Sequence, residues 1–474
     1  MLLHSTHPLE FLFHPRSIAI VGASNNPRNS GRRYLEQLQH FGFKGDLYPV
    51  NPNVSEVLRL KAYPSVTEIP SPVDFVISCI PAQMALPLME ECVAKGVKAV
   101  HYFTARLSET GLPERKAMEE ELVQIARRGG VRIVGPNCMG LHYSESGLSF
   151  RFDLPQESGP IGFISQSGRN TVELVHRGSG RGLSFSKIVS YGNGCDLNEC
   201  DFLDYFLHDP ETELIAAYIE GVKDGRRFFK VLREVASKKP VIILKGGQTG
   251  AGARAVASHT ASLAGNFSMW EIACRQAGAI NVADMEELAD MTLAFLLLSP
   301  VQGRRIAVMG GGGGGSVGAA DVCERAGLIV PPLPDEIKRE LRAIAPEVWT
   351  MIGNPIDSSA TDGQTTFIRA AELLAADKDI DLLMANPGAE WSLDQPENRD
   401  DLFQSLEMFI NLGKSVAKPM VFILPPGDFG QPWKSQIILE LQEVCVRAGY
   451  PVYPTIARAA HALSKFVWYH ERRG

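Results

Sequence analysis

The sequence predicts an α/β protein made of three consecutive doubly wound domains. Three observations carry this. Short apolar runs alternate with amphipathic stretches from residue 17 onward, and the alternation restarts at 159 and again at 304. The length of 474 residues accommodates three domains, each able to bury its own core.

In chain order, "SIAIVGAS" (17–24), "DLYPVNP" (46–52), "VDFVISCIPA" (73–82), "VKAVHYFTA" (97–105) and "VRIVGPN" (131–137) read as buried strands. "YLEQLQHF", "ALPLMEECVAKG" and "ERKAMEEELVQIARRGG" read as the intervening helices, the last ending in paired glycines. This βαβ series implies a parallel sheet. The second series runs from "GPIGFISQSG" (159–168) through "FSKIVSYGN", "ELIAAYIEGV" and "KPVIILKGG". The third opens at "RRIAVMGGGGGG" (304–315) and continues with "DLLMANPG" and "KPMVFILPPGD". Joints are expected near 143–158 and near 297–304, the second marked by Ser299, Pro300 and Gly303. The expected domains are 1–143, 144–300 and 301–474.

With 45% hydrophobic and 21% charged residues the chain is an ordinary globular one. A net charge of −7 leaves no basic footprint for nucleic acid or an anionic membrane. The eight cysteines are scattered, with no CxxC pair, which argues against structural zinc and a disulfide framework and for a reducing, cytoplasmic compartment. "MLLHSTHPLEFLFHPRS" is too polar for a signal peptide, and "MTLAFLLLSP" is too short to span a bilayer.

The first strand ends in "VGASNNP", a strand–turn–helix geometry that offers backbone amides to an anion. It is not a dinucleotide fingerprint. Only Gly22 is present before Gly31, and Asn51 and Pro52 stand where a ribose-binding acid belongs, so NAD is disfavoured. A plain βα turn is the alternative. "ISQSG" (164–168) is a second such turn, with Ser167 and Gly168 as donors. Glu220, in "IEGVKDG", ends an apolar strand as either a surface carboxylate or a site residue. "GARAVASHTASLAG" (252–265) holds one histidine, His259, and no Asp, Glu or Lys. So rich in Gly and Ser, it reads as a loop: either a flexible surface segment with an incidental histidine or a mobile carrier of one reactive group. All these loops leave one edge of an α/β sheet, and that convergence favours a site.

Together "SIAIVGAS", "YPVNP", "GPNCMG", "FISQSG", "YIEGVKDG", "GARAVASHTASLAG" and "GNPID" resemble, in order, the α subunit of the NDP-forming acyl-CoA synthetases. This is the ADP-forming acetate–CoA ligase group, related to succinyl-CoA synthetase. The resemblance spans the chain and implies a Rossmann-like CoA-binding domain followed by two flavodoxin-like, succinyl-CoA-synthetase-like domains. It implies a reaction in which acyl-CoA and phosphate give CoA and acyl phosphate, and the phosphoryl group passes to a histidine and then to ADP. His259 matches the phosphorylated histidine and Glu220 its carboxylate partner. A neutral imidazole is a competent nucleophile toward phosphorus, and a carboxylate on its other nitrogen fixes the tautomer and stabilises developing charge. Ser167 and Gly168 match the phosphate site. For CoA the matching positions are Gly22, Ala23, Ser24, Asn51, Ile80, Pro81, Ala82 and Asn137, the last equally readable as a turn residue.

The chain departs from the family pattern in places. Arg169 and Asn170 follow "SQSG", and Arg106 follows "FTA". These are either carboxylate-binding groups for the acyl chain or solvated surface residues. The six glycines 310–315 are either an anion nest or an interface turn. No ATP-grasp segment is read in the 474 residues, so the resemblance implies a separate ATP-grasp β subunit, in an α2β2 assembly, that holds ADP or ATP with Mg2+. No metal site is expected on this chain. The competing readings are a CoA-binding regulatory or scaffold protein, and an acyltransferase between CoA and phosphate that uses no nucleotide.

Overall fold

Each apolar run becomes a strand. In the first region β1 (Ser17–Val21) and β2 (Asp46–Val50) are followed by a short hairpin of β3 (Glu56–Val57) and β4 (Leu60–Lys61), then β5 (Phe75–Ser78), β6 (Ala99–Tyr102) and β7 (Arg132–Val134). The sheet order is β2-β1-β5-β6-β7, all parallel. The structure is a computed structural model describing residues 7–260, 267–358, 364–426 and 430–473. The side chains of 257–260, 364, 390 and 391 lie outside that set.

The helices of this sheet are α1 (Ser30–His40), α2 (Ala85–Lys95) and α3 (Pro113–Arg128). Val21, Val76, Val100 and Ile133 are buried in one core beneath them. A strand covered on both faces cannot afford alternating polar residues, which is why each reads as an unbroken apolar run.

The second sheet takes β8 (Gly140–His142), β9 (Ser158–Ser165), β10 (Phe185–Ser190), β11 (Leu214–Ile219), β12 (Val241–Lys245) and β13 (Ile280–Val282), in the order β13-β12-β11-β9-β10-β8. Only β8 is antiparallel. Its helices are α4 (Gly168–Ser179), α5 (Glu199–His208), α6 (Gly225–Lys238), α7 (Gly250–Thr260) and α8 (Phe267–Ala277). The strands β8 (Gly140–His142) and β13 (Ile280–Val282) each carry a polar residue within three, so neither leaves an apolar run in the sequence.

The structure corrects one expectation here. Residues 252–260, expected as loop, continue a helix begun at Gly250. Alanines at 251, 253, 255 and 257 supply strong helix propensity, and Thr249 caps the start, accepting from Gly252 N on its hydroxyl at 3.1 Å and from Ala253 N on its carbonyl at 2.7 Å. The rest of that stretch, 261–265, falls outside the described residues.

A third sheet of β14 (Ile306–Gly310), β15 (Leu382–Asn386), β16 (Met420–Ile423) and β17 (Val452–Tyr453) is parallel in sequence order. The chain divides into two compact units: residues 1–179 with 183–288, and residues 180–182 with 289–474. The first unit holds both larger sheets, and the second holds the third sheet. Among the described residues no helix is long and apolar enough to cross a membrane.

Candidate active site

Register decides which loops meet. Val21 is level with Val50 and Ser78, and Ser78 with Tyr102, so the segments after β1, β2, β5 and β6 leave one edge of the first sheet together. In the second sheet Ser165 is level with Ser190 and with Tyr218, so the turns after β9, β10 and β11 emerge side by side. The two edges are joined within the first unit: Asn193 N donates to Pro136 O at 3.0 Å and Cys195 N to Gly135 O at 3.0 Å. Gly192 permits this approach, because a β-carbon there would lie 2.4 Å from the carbonyl oxygen of Asn137.

Between the two edges lies a cavity of about 630 Å³. Ile80, Pro81, Ala82, Arg106 and Asn137 line it from the first sheet, and Ser167, Gly168 and Arg169 from the second. Gly22, Ala23, Ser24, Asn51, Asn170 and Glu220 are not among its lining residues. The side chain of His259 lies outside the described residues; its backbone sits in α7, which starts four residues after β12 and packs beside the turn Ser108–Thr110 that follows Arg106.

The turn after β1 differs from expectation in its donors. The amide of Gly22 is taken by Val50 O (2.9 Å) and that of Ser24 by Asn29 Oδ1 (3.2 Å). Asn51 is also committed internally, its Nδ2 donating to Ala23 O (2.8 Å) and its Oδ1 accepting from Asn53 N (2.9 Å). The reason is Asn29, the N-cap of α1, which accepts from Arg32 N and returns a bond from Nδ2 to Gly22 O at 3.0 Å. The open amides are one turn further on, at Ser30 and Gly31, which bond to no acceptor among the described residues. Ser30 lines the cavity.

The turn after β9 is built differently. The hydroxyl of Ser167 accepts from Asn170 N at 3.3 Å, capping α4, and retains its proton to donate. A β-carbon at Gly168 would stand 2.6 Å from Met139 Cγ, so the missing side chain lets Met139 pack against the start of α4. Asn170 does not line the cavity; its side chain hydrogen-bonds the Tyr218 hydroxyl, which in turn donates to Glu220 Oε1 at 3.2 Å.

Glu220 is 5% exposed and its Oε2 has no partner among the described residues. Gln166 Oε1 accepts from Glu220 N and from Gly221 N, fixing the strand end. Lys245, buried at the end of β12, donates its ammonium to the carbonyls of Glu220 and Gly246, and burial holds its pKa below the usual lysine range. Burial, then the neighbouring Glu220, pushes the Tyr218 hydroxyl up, so it stays a donor. A β-carbon at Gly246 would lie 2.7 Å from the Tyr218 hydroxyl oxygen.

The supporting residues Gln166, Asn193, Tyr218 and Lys245 lie inside or beside quoted motifs, but no local rule marks an interior strand residue as a carboxylate's partner. Among the described residues one group, His7, Asp204 and His208, brings metal-type ligand atoms within 4.8 Å. His7 Nδ1 accepts from Leu9 N at 3.2 Å, so Nε2 carries the proton that meets Asp204 Oδ2 at 3.1 Å, a polar contact and not a ligand set.

Residues 16–144 match the family of CoA binding domains, and residues 158–295 the family described as succinyl-CoA ligase like flavodoxin domain. The chain is 40% identical over 377 residues to the acetate–CoA ligase [ADP-forming] II subunit alpha of Pyrococcus furiosus, covering 80% of this chain and 82% of that one. It is 32% identical over 474 residues to acetate–CoA ligase [ADP-forming] II of Archaeoglobus fulgidus, covering 98% of this chain and 67% of that protein. Among solved structures, the dinucleotide forming acetyl-coenzyme A synthetase 1 of Candidatus Korarchaeum cryptofilum, in complex with phosphate and ADP, matches with a TM-score of 0.80 and 31% identity, over 98% of this chain and 97% of that one. With two anion-type turns, a buried carboxylate and a shared cavity set on that same chain of domains, the protein belongs to the NDP-forming acyl-CoA synthetases, as an α subunit of the ADP-forming acetate–CoA ligase type.

Proposed function

We propose that this chain binds CoA and carries the phosphoryl group through His259 in the reversible conversion of acyl-CoA, ADP and phosphate to carboxylic acid, CoA and ATP. A phosphate oxygen attacks the thioester carbonyl, the C–S bond breaks, and CoA leaves as the thiol after taking a proton. The imidazole of His259 then attacks phosphorus and the carboxylate leaves. Finally the phosphoryl group passes to ADP.

The observation that carries this reading is Glu220. A buried carboxylate with one oxygen engaged and the other orphaned is costly unless a donor arrives. An imidazole N–H is the donor the chemistry calls for. It would hold the other ring nitrogen unprotonated toward phosphorus and stabilise the imidazolium formed. The Ser167 hydroxyl, the Gly168 amide and the N-terminus of α4 supply charge neutralisation for the phosphate. The amides of Ser30 and Gly31 suit the CoA diphosphate, with the pantetheine running past Ile80, Pro81 and Ala82 toward Asn137.

CoA and a nucleotide are the cofactors of this reading, the nucleotide with Mg2+ on an ATP-grasp β subunit in an α2β2 assembly. Relatives named as alpha subunits support a multi-subunit enzyme. The regulatory and nucleotide-free alternatives are not favoured, because the relatives are named as ADP-forming ligases.

The test is covalent labelling. With ATP, Mg2+ and the partner, or with a cognate acyl-CoA and labelled phosphate, the chain takes up label that is lost in acid and survives alkali. His259→Asn abolishes the label and keeps CoA binding. Acid-stable label, or full labelling of His259→Asn, overturns the reading. Without the partner, the chain does not form acyl-CoA from acid, CoA and ATP.

A further inference from the structure

Three guanidinium groups on the cavity are left over by the chemistry above. Arg106 follows β6, Arg115 lies in the first turn of α3, and Arg169 in the first turn of α4. They come from three elements to one cavity of about 630 Å³, and no Asp or Glu lines that cavity among the described residues. None of the three side chains makes an ion pair or hydrogen bond among the described residues. Arg106 and Arg169 are exposed at the cavity mouth and Arg115 is half-buried, whereas the half-buried Arg32 and Arg132 of this unit are matched with Glu36 and Asp196.

Arg106 also stands in left-handed backbone, φ +72°, which glycine adopts freely and a side chain does not. The conformation is held by Glu109, which accepts the amides of Arg106 and Leu107 and is itself bound by Asn193 Nδ2 at 2.7 Å. Asn193 donates also to Glu119 Oε2 at 3.0 Å. A side chain is thus kept in a strained position by a built network on the cavity wall.

The reacting carboxyl does not account for these cations. In acyl-CoA it is an uncharged thioester carbonyl. The phosphate at Ser167 and Gly168 supplies one counter-charge beside Arg169, and an acetyl group adds none for Arg106 across the cavity wall. An acyl chain with a negative far end would supply one, in the fork geometry guanidinium groups prefer.

We propose that the acid handled at this site carries a second anionic group, a carboxylate or a sulfonate, held between Arg106 and Arg169, with Arg115 adding to the positive field. This deepens the acyl-CoA reading above and rests on it.

The test uses the full chain assembled with its ATP-grasp partner. Arsenate replaces phosphate, so that the acyl arsenate hydrolyses and released CoA is followed as free thiol. The probes are malonyl-, succinyl- and sulfoacetyl-CoA against acetyl-, propionyl- and butyryl-CoA. The anionic class is expected to exceed the neutral class in kcat/KM by about 30-fold or more, the order of one charge-assisted hydrogen bond. Comparison of succinyl- with sulfoacetyl-CoA separates carboxylate from sulfonate. Arg106→Gly, which fits the backbone without strain, and Arg169→Gln should each lower the anionic-to-neutral ratio by roughly 10-fold. A wild type that prefers the neutral class, or variants in which both classes fall alike, overturns the proposal and assigns the arginines to phosphate or CoA. CoA release from none of the six thioesters overturns the acyl-CoA reading itself.

Discussion

Tyr218 donates its hydroxyl to Oε1 of Glu220 at 3.2 Å, while the buried Oε2 of the same carboxylate has no partner among the described residues. One oxygen is oriented and the other is held ready. Glu220→Gln keeps the shape and removes the charge, so it should slow phosphorylation of the chain by about 100-fold or more. Tyr218→Phe leaves the charge and loses one orienting bond, so about 5-fold is expected. Rapid-quench labelling measures both. Equal losses in the two variants would mean that Tyr218 does more than orient.

At Gly31 a β-carbon would stand 2.8 Å from the backbone N and Cα of Ala23. Backbone cannot swing aside, so Gly31→Ala should push the first turn of α1 off the turn after β1. The open amides at Ser30 and Gly31 move with it. Calorimetric titration should show CoA binding weakened by roughly 10- to 100-fold, with α1 otherwise retained. The wild type should bind CoA and show no comparable response to NAD, as the missing glycines and the internally bonded Asn51 require.

The strands that carry the site were readable because a parallel strand covered on both faces is apolar in its interior, and β1, β5, β9, β11 and β12 each carry such a run, with polar residues such as Ser17, Ser78, Ser165 and Lys245 at their ends. Ser167, Gly168 and Glu220 were legible as candidates because they follow such strands. The donors of the first turn were not. Whether an amide is free depends on what a neighbouring side chain does, and Asn29, seven residues past Gly22, takes Ser24 N. The helix over 252–260 was hidden by Gly250, Gly252 and Ser258, whose low propensity is outweighed locally by alternate alanines and the Thr249 cap. Tyr218 and Lys245 look like strand residues in the sequence. Their roles appear only when β11 and β12 align, Tyr218 level with Leu244 and Ile219 with Lys245.

Lys187 is 1% exposed and its ammonium meets both carboxylate oxygens of Asp209 (3.0 and 2.9 Å) and Oε2 of Glu211 (2.7 Å), over the ring of Tyr143. Removing one partner of such a buried set strands the other. Asp209→Ala should therefore cost about 3–5 kcal/mol in chemical denaturation while CoA affinity stays unchanged, since Asp209 does not line the cavity. A loss below about 1 kcal/mol would show that Glu211 alone satisfies the lysine.

Buried titratable groups set opposing limits on stability with pH. Glu199 begins α5 at 3% exposure, and burial pushes its pKa up to about 7, against the opposing pull of its own amide and of Lys223. An acid whose pKa is raised on folding loses stability as pH rises: the unfolded chain ionises from about 4.5, the folded chain only near 7. The penalty is absent below 4.5 and complete above 7, and amounts to about 3 kcal/mol. His101 and His142 act in the other direction. Burial lowers both to about 4, so the unfolded chain takes up protons from 6.5 downward while the folded chain does not, and stability falls as pH drops from 6.5 to 4. Between pH 4.5 and 6.5 the two effects oppose each other, the two histidines outweigh the one carboxylate so that stability rises with pH, and calorimetry of Glu199→Gln should separate them. At pH 8 this variant should melt higher than the wild type, because no charge needs to be buried. At pH 4.5 the two should coincide, and the acid limb set by the histidines should be unaltered. A variant that melts lower than the wild type at pH 8 would show that the Glu199 carboxylate is ionised and satisfied in the folded chain, with Lys223 and Arg227 outweighing its burial.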